Sequence, residues 1–193
     1  MDEFAYLNPP VALAALEADS QALGFGMASE ARTGALLRIL AASKPAARLL
    51  ELGTGTGIAT AWLLDGMDAA SSLDTVDNDQ APVRVARRHL SHDARVRFHV
   101  MDGAVFLRQA ETASYDLVFA DAWPGKFSDL DEALALLKVG GLYVIDDLLP
   151  QPNWPEGHAP KVPRLIDELA SRDDLKLCAL AWSSGLVIAV KTR

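Results

Sequence analysis

The sequence has little cysteine, fewer basic than acidic residues, and no long apolar run. A single cysteine, Cys178, excludes an intrachain disulfide, which fits a reducing cytoplasm. Lys and Arg number 18 against 26 Asp and Glu, and no basic cluster marks a nucleic-acid surface. No apolar run approaches the roughly 20 residues of a membrane span, and the acidic start Met1–Phe4 lacks the basic flank of a signal peptide. We therefore expect an unprocessed cytoplasmic protein with neither a nucleic-acid nor a membrane partner.

Helix and strand signals alternate along the chain, which is typical of an α/β domain with a mostly parallel sheet. Helices are predicted at 10–23, 29–42 (with Ser29 as the N-cap), 58–64, 80–90, 103–110, 130–138 and 161–171, and strands at 47–52, 72–76, 96–100, 115–120, 141–145, 175–182 and 186–191. The last two strands are too close in sequence for a parallel crossover, so they must pair antiparallel. Apolar neighbours place Cys178 in a buried strand. The pattern predicts one α/β domain with a seven-stranded sheet that ends in an antiparallel hairpin.

A glycine-rich turn follows the first predicted strand. Residues 51–57 read Glu-Leu-Gly-Thr-Gly-Thr-Gly. Glycines at alternate positions let the chain reverse with positive φ and let a ligand approach the backbone. A dinucleotide fingerprint needs G-x-G-x-x-G, but its last position here is Ile58 or Thr60, depending on which glycine is counted first. The turn therefore indicates a nucleotide-like ligand and argues against a nicotinamide dinucleotide.

Three carboxylates near the predicted strand ends narrow the choice of ligand. Glu51 would repel a pyrophosphate but attract a cationic amino group. Asp77 ends the second strand, where a carboxylate can accept hydrogen bonds from both ribose hydroxyls, and Asp102 could accept one from an adenine amino group. Asp77 and Asp102 could instead cap the helices that follow them, and for Asp79 capping is the better interpretation. Together these residues indicate a nucleoside that carries a positively charged amino-acid tail.

With the closing hairpin, these residues resemble the class I S-adenosylmethionine (SAM)-dependent methyltransferases over nearly the whole chain. The resemblance is closer to the small-molecule O-methyltransferases of the catechol and caffeoyl-CoA type. Residues 119–123 (Phe-Ala-Asp-Ala-Trp), 144–147 (Val-Ile-Asp-Asp) and 27–34 (Met-Ala-Ser-Glu-Ala-Arg-Thr-Gly) carry it. It implies a Rossmann-like, doubly wound single domain, with helices in 1–45 covering cofactor and substrate and 46–193 forming the core. It also implies SAM as the methyl donor and a hydroxyl of a small molecule as the acceptor.

The resemblance assigns roles to individual residues of the cofactor site. Glu51 would orient the methionine end of SAM and Asp77 the ribose, while Asp102 and Trp123 would contact the adenine. Met27 would belong to the covering segment, although Met27 and Trp123 could both be simple packing residues. The implied cofactor-binding set is Met27, Glu51, Gly53, Thr54, Gly55, Gly57, Asp77, Asp102, Gly103, Asp121 and Trp123.

A divalent metal ion is a further implication of the resemblance. In those enzymes an aspartate after the fourth strand and an Asp-Asn pair after the fifth hold Mg²⁺ or a similar ion, and the corresponding residues are Asp121, Asp146 and Asp147. Asp147 stands where an asparagine is expected, so three carboxylates would face a dication with one negative charge in excess. Either one carboxyl is protonated or lies outside the coordination shell, or the metal is absent.

The group that deprotonates the acceptor is left open. The family places a lysine three residues after the first metal aspartate, and that position is Pro124, whereas Lys126 lies two residues further on. The proline-rich segment 148–158 ends in His158, which could act as the general base if no metal is bound. The other interpretation of this segment is a rigid surface connection. The catalytic candidates are Asp121, Lys126 and His158.

The sequence is also compatible with two functions other than methyl transfer. One is a nicotinamide-dependent oxidoreductase, against which the missing third glycine and the terminal hairpin argue. The other is a catalytically silent module that binds SAM and acts through a partner. Because relatives of this type often pair, a homodimer is a further expectation.

Overall fold

The computed structural model describes residues 7–193, and the acidic start Met1–Phe4 lies outside the described residues. Within that range, none of the helices is long and apolar enough to cross a membrane. The helices are α1 (Leu13–Leu23), α2 (Ala31–Ala42), α3 (Ile58–Gly66), α4 (Gln80–Leu90), α5 (Gly103–Gln109), α6 (Leu130–Leu136) and α7 (Lys161–Ser171). The strands are β1 (Arg48–Leu52), β2 (Ser72–Asp77), β3 (Val96–Val100), β4 (Tyr115–Ala120), β5 (Leu137–Ile145), β6 (Leu175–Leu180) and β7 (Leu186–Lys191).

One sheet joins the strands in the order β3-β2-β1-β4-β5-β7-β6. Strands β1 to β5 run parallel, and β7 pairs antiparallel with both β5 and β6. This confirms the predicted Rossmann-like, doubly wound sheet and its closing hairpin. The strand order changes direction between β1 and β4, and in such sheets the carboxyl ends of the strands at this switch point leave a crevice for ligands.

Helices cover both faces of the sheet, which explains why the central strands β1 and β4 carry apolar residues that point to both faces. Leu49 and Leu117 pack under α1 to α4, whereas their chain neighbours Leu50 and Val118 pack under α5 to α7. Side chains alternate between the two faces of a strand, so each central strand supplies both cores. The two packed layers hold the strand ends rigidly at the crevice.

The N-terminal boundaries differ from the prediction. Helix α1 begins at Leu13 rather than at residue 10, and α2 begins at Ala31. The prediction that Ser29 caps α2 is wrong, because the N-cap position is Glu30 and makes no side-chain hydrogen bond there. The Ser29 hydroxyl instead donates to Oδ2 of Asp121 at 3.1 Å. A residue read as a local cap therefore connects the N-terminal segment to the end of β4.

Two further differences concern the C-terminal half of the sheet. Strand β5 begins at Leu137, inside the predicted helix, and its pairing with β4 shifts register between Tyr115 and Leu117. Strand β6 ends at Leu180 rather than at residue 182. Cys178 lies in a strand as predicted, but it is exposed rather than buried because β6 is the edge strand.

Candidate active site

A cavity of about 470 Å³ opens at the carboxyl edge of the sheet. Its volume is in the range usual for small-molecule and cofactor sites. The cavity spans the switch point between β1 and β4, and it brings together residues that are far apart in sequence. The predicted site residues that line it are Met27, Gly53, Gly55, Asp77, Asp102, Gly103, Asp121, Trp123, Lys126, Asp147 and His158.

The glycine turn forms one wall of the cavity. Gly53, Gly55 and Gly57 all have positive φ, at 105°, 50° and 90°. A Cβ on Gly53 would lie 2.9 Å from the backbone oxygen of Asp121, so only glycine lets the end of β1 pass this close to the end of β4. Gly57 lies outside the cavity, where a Cβ would meet Ala86 of α4 at 2.7 Å. Gly53 and Gly55 are therefore placed to approach a ligand, whereas Gly57 permits helix packing.

Asp77 projects into the cavity from the end of β2. Its Oδ2 accepts a hydrogen bond from the amide of Gly55 at 2.8 Å, and its Oδ1 accepts one from the amide of Asp79 at 2.9 Å. A carboxylate has about four lone-pair sites, so both oxygens can still accept from a ligand. The capping interpretation of Asp79 is confirmed, since its side chain accepts from the amide of Ala81 at 2.9 Å.

Three more of the predicted residues, Asp102, Trp123 and Met27, line other parts of the cavity wall. Asp102 caps α5 by accepting from the amide of Val105 at 3.0 Å, and it also lines the cavity, so capping does not remove it from the site. Trp123 is 40% exposed and Met27 is 61% exposed, which is too much for core packing residues. The ammonium of Lys161 lies 5.0 Å from the centre of the Trp123 ring. An aromatic face and a flexible apolar side chain are thus available to a ligand.

Glu51 is fully buried beneath the glycine turn and does not line the cavity. Its Oε2 accepts from the hydroxyls of Thr60 and Thr75, each at 2.6 Å. Thr54 extends this network, with its hydroxyl 2.6 Å from that of Thr75. Oε1 has no partner among the described residues. Burial raises the pKa of Glu51 to about 8, because no cation offsets the loss of water. Its predicted contact with the methionine end of SAM stays a prediction.

Lys126 lies among the three predicted metal ligands. Its side chain is 2% exposed, and Nζ is 3.8 Å from Oδ1 of Asp121 and 4.0 Å from Oδ2 of Asp147. The same Nζ donates to the backbone oxygen of Asp146 at 3.1 Å. The unusual spacing after Asp121 therefore does not keep the lysine out of the site.

The carboxyl groups of this cluster are held in different ways. Oδ1 of Asp146 accepts from the Ser184 hydroxyl and from the amide of Asp147. Burial raises the pKa of Asp146 to about 6. Burial also raises the pKa of Asp121, as does the nearby Asp146 carboxylate, while Lys126 acts in the opposite direction. Two carboxylates, those of Asp121 and Asp147, lie near the single ammonium of Lys126 at this edge of the sheet.

The donor set does not fit a divalent ion. Nowhere in residues 7–193 do three or more His, Cys, Asp or Glu side chains converge as metal ligands. An ammonium already lies within 4.0 Å of Asp121 and Asp147, and Asp146 is turned toward Ser184. The ligand set Asp121, Asp146 and Asp147 expected from the resemblance therefore stays a prediction, and the side chains as they lie in this structure do not favour it. The carboxylates of Asp121 and Asp147 lie near the ammonium of Lys126, whereas Asp146 contacts that ammonium through its backbone oxygen only.

His158 closes the cavity from the proline-rich segment 148–158. It is 2% exposed, and Nε2 lies 2.9 Å from the backbone oxygen of Asp147, so Nε2 carries a proton. Trp154 stacks on the imidazole at 4.3 Å, and Phe127 meets it edge-on at 4.7 Å. Burial lowers the pKa of His158. The ring is thus held as a neutral imidazole whose Nδ1 keeps a lone pair.

Several residues of the site carry no signal in the amino-acid sequence. Phe25, between α1 and α2, lines the cavity beside Gly55, and Pro82 lines it from α4. Ser29 and Ser184 hold the carboxylates of the cluster. Each reaches the site through tertiary packing rather than through a local motif, so no spacing in the sequence marks them.

The fold and the cavity define a domain that binds a nucleotide-like cofactor at the switch point of a doubly wound sheet. Residues 50–148 match the model of a family described as a methyltransferase domain. The chain belongs to this methyltransferase domain family.

Known proteins of related sequence and structure agree with this membership. The chain is 33% identical over 144 residues to a Mycobacterium tuberculosis protein named "Probable O-methyltransferase Rv1220c", and the match covers 72% of the chain but only 64% of that relative. It is also similar to the O-methyltransferase TomG of Streptomyces achromogenes, which takes part in tomaymycin synthesis and was solved in complex with SAM. That likeness has a TM-score of 0.83 and 25% identity, over 97% of this chain and 92% of TomG. A Corynebacterium glutamicum protein shares the fold with a TM-score of 0.85 at 21% identity, over 98% and 94% of the two chains.

Proposed function

We propose that the protein transfers the methyl group of SAM to an oxygen atom of a small-molecule acceptor. The observation that carries this proposal is the cavity of about 470 Å³ at the switch point. On one side it presents the glycine turn and Asp77, and on the other it presents Asp121, Lys126 and His158. A donor site and a proton-accepting site thus share one enclosed volume, as a transfer between two bound substrates requires.

The donor side of the cavity fits SAM. The backbone at Gly53 and Gly55 can lie against the ligand, Asp77 can accept from the ribose hydroxyls, and Trp123 offers a face to the adenine beside Asp102. When bound, SAM supplies a methyl group on a positively charged sulfur. The carboxylates that line the cavity favour a cationic ligand over a pyrophosphate.

The acceptor side supplies a proton acceptor. Because Nε2 of His158 donates to the backbone oxygen of Asp147, Nδ1 is left to take the hydroxyl proton. The acceptor oxygen would then form its bond to the methyl carbon as the carbon–sulfur bond breaks and S-adenosylhomocysteine leaves. Stacking on Trp154 fixes the orientation of the ring. Asp121 and Lys126 line the same cavity and hold each other in place beside this position.

The same proposal includes three expectations: the acceptor is a small molecule, the protein is cytoplasmic, and it forms a homodimer. The acidic charge of -8 supports a small-molecule partner rather than a nucleic acid. The nicotinamide oxidoreductase and the silent SAM-binding module stay as alternatives, and no feature of the cavity favours either one.

Calorimetric titration with S-adenosylhomocysteine and with NAD tests the donor site. We expect the wild type to bind S-adenosylhomocysteine and not NAD. Asp77→Asn should weaken this binding about 10- to 100-fold, because the amide cannot accept from the backbone and the ribose together. The matched control Asp167→Asn changes an exposed aspartate of α7 that does not line the cavity, and it should leave the affinity unchanged. Binding of NAD alone would overturn the proposal in favour of an oxidoreductase.

Methyl transfer to a panel of catechols and other hydroxylated small molecules tests the enzyme against the silent module. The proposal expects a methylated product that depends on SAM. A protein that binds S-adenosylhomocysteine but methylates nothing across a broad panel would favour the silent module.

A further inference from the structure

We infer that the ammonium group of Lys126 takes the place of a divalent ion at the cluster of Asp121, Asp146 and Asp147. The site would then work without metal, and Lys126 would be a positioning residue. Its importance for catalysis rests on the proposed function, but the inference itself concerns cation binding and can be tested without any substrate.

The turn that carries Lys126 explains how the lysine reaches the cluster. The amides of Lys126 and Phe127 both donate to the backbone oxygen of Trp123, at 3.0 and 2.8 Å. Gly125 has φ of 85°, and a Cβ there would lie 2.5 Å from Leu52, so only glycine allows the turn to pack against the end of β1. This tight turn uses up the two extra residues and returns Lys126 toward Asp121.

The lysine is held firmly in this position. Its side chain is 2% exposed, and the hydrogen bond from Nζ to the backbone oxygen of Asp146 is 3.1 Å long. Nζ also lies 5.5 Å from the centre of the Phe127 ring. A buried ammonium needs charged or hydrogen-bonding partners, and moving it away from the cluster would remove all of those named here. The ammonium is therefore a built part of the site.

Two carboxylates, those of Asp121 and Asp147, lie within 4.0 Å of this ammonium, and the carboxylate of Asp146 is turned toward Ser184. Asp121 uses Oδ2 to accept from Ser29, and Asp146 uses Oδ1 to accept from Ser184 and from a backbone amide. A Mg²⁺ ion about 2.1 Å from the oxygens of Asp121 or Asp147 would also meet the positive charge of Lys126 at short range. Asp147 in place of asparagine then has a reason, since a second carboxylate lies within 4.0 Å of the buried ammonium and helps to balance its charge.

The position of Lys126 also bears on His158. Nζ holds the backbone oxygen of Asp146, and the next backbone oxygen, that of Asp147, holds Nε2 of His158. The lysine thus fixes the backbone on which the proposed general base depends. Lys126 therefore helps to position His158 and does not itself take the proton.

Binding of Mn²⁺, measured by electron paramagnetic resonance in the absence of SAM and acceptor, tests the inference. We expect the wild type to bind no Mn²⁺ at this cluster. Lys126→Ala removes the charge and opens the space, so it should bind Mn²⁺ at least ~10-fold more tightly than the wild type, an effect of the size that neighbours of metal ligands produce. Lys161→Ala removes another lysine near the cavity and should leave Mn²⁺ binding unchanged.

Asp147→Asn distinguishes two possible causes of the exclusion of Mn²⁺, namely the excess negative charge of three carboxylates and the ammonium of Lys126. This variant restores the Asp-Asn pair, and asparagine tolerates the left-handed backbone at this position, where φ is 62°. If Lys126 excludes the ion, Asp147→Asn will still bind no Mn²⁺. Should Lys126→Ala fold poorly, the inference expects Mn²⁺ to raise its midpoint of thermal unfolding while leaving that of the wild type unchanged.

Two results would overturn the inference. One is Mn²⁺ binding by the wild type that is as tight as in Lys126→Ala, and the other is Mn²⁺ binding gained by Asp147→Asn with Lys126 intact. Neither result depends on methyl transfer. A protein that excludes Mn²⁺ in this way but fails to bind S-adenosylhomocysteine would contradict the proposed function and leave the cation site as inferred here.

Discussion

The two sides of the cavity bury carboxyl groups in different ways. Under the glycine turn, Glu51 has only the hydroxyls of Thr60 and Thr75 as partners, and its raised pKa makes it neutral at neutral pH. At the ends of β4 and β5, Asp121 and its neighbours instead share the ammonium of Lys126. A buried acid can be neutralised by its own proton or balanced by a cation. The donor side is therefore supported by a neutral buried carboxyl group, that of Glu51, whereas the acceptor side contains a charged cluster around Lys126.

The largest effect should come from His158, because only the acceptor side performs proton transfer. His158→Gln should lower kcat/KM about 10²- to 10⁴-fold. In the wild type, activity should fall as the pH falls through the pKa of His158. Since burial lowers that pKa, this acid limb should lie below the ordinary histidine value of 6.5. The pH–rate profile of the variant should lose the limb.

The exposed His92 provides the matched control, and His92→Gln should keep the wild-type profile. An unchanged acid limb in His158→Gln would remove the histidine from the mechanism. The acceptor side would then need another base.

The next effect concerns the stability of the charged side. Lys126→Met keeps most of the side-chain volume but removes the charge, which leaves Asp121 and Asp147 without their cation. We expect the free energy of unfolding to fall by about 3–5 kcal/mol, the usual cost of breaking a buried ion pair from one side. Chemical denaturation at neutral pH measures this change.

Lys161→Met serves as the control for that measurement, because Lys161 contacts the exposed face of Trp123 rather than the carboxylates. Its free energy of unfolding should change by no more than about 0.5 kcal/mol. Equal losses in the two variants would show that the acceptor side is not organised around Lys126.

The donor side should show an effect of similar size, as a pH dependence of stability that amounts to roughly 5 kcal/mol between pH 4.5 and about 8. The pKa of Glu51 in the folded state is raised from 4.5 to about 8, so its contribution to stability is fully present below pH 4.5 and is lost as the pH rises through 8. Over this window one proton is bound in the folded state only, which gives a slope of about 1.4 kcal/mol per pH unit. Glu51→Gln cannot ionise and should lack that part of the slope.

Chemical denaturation of the wild type and of Glu51→Gln across this pH window measures the difference. Gln can still accept from Thr60 and Thr75, so the two proteins should unfold with similar free energies near pH 4.5 and diverge above it, with the variant more stable at pH 8. Parallel curves would mean that Glu51 is ionised in the folded protein. The contrast between the two sides of the cavity would then disappear.

The sequence predicts the parts of this protein that local patterns determine. Alternating strands, the glycine turn and the capping role of Asp79 follow from residue types and spacing, and the structure confirms them. The position of Lys126 does not follow from the spacing of residues in the sequence, because it depends on a turn at Gly125 that packs against Leu52 of a distant strand. The neutral state of Glu51 depends on burial by the whole domain.

The same limit applies to the wrong cap assignment of Ser29 and to the metal expectation. Ser29 matches the sequence preference for an N-cap, yet its hydroxyl is used by Asp121 of a distant strand. The metal expectation followed from three aspartates at matching positions, but whether they converge on an ion depends on where a lysine side chain lies. Local sequence cannot report contacts between segments that meet only in the fold.

A crystal structure of the protein with S-adenosylhomocysteine and excess Mg²⁺ would show both sides of the cavity in one measurement. We expect the ribose hydroxyls on Asp77, the adenine on the face of Trp123, and the Lys126 ammonium still within hydrogen-bonding or ion-pair distance of Asp121 and Asp147. Density for S-adenosylhomocysteine outside the cavity would contradict the proposed donor site. A Mg²⁺ ion bound by Asp121, Asp146 and Asp147, with Lys126 displaced, would contradict the proposed acceptor side.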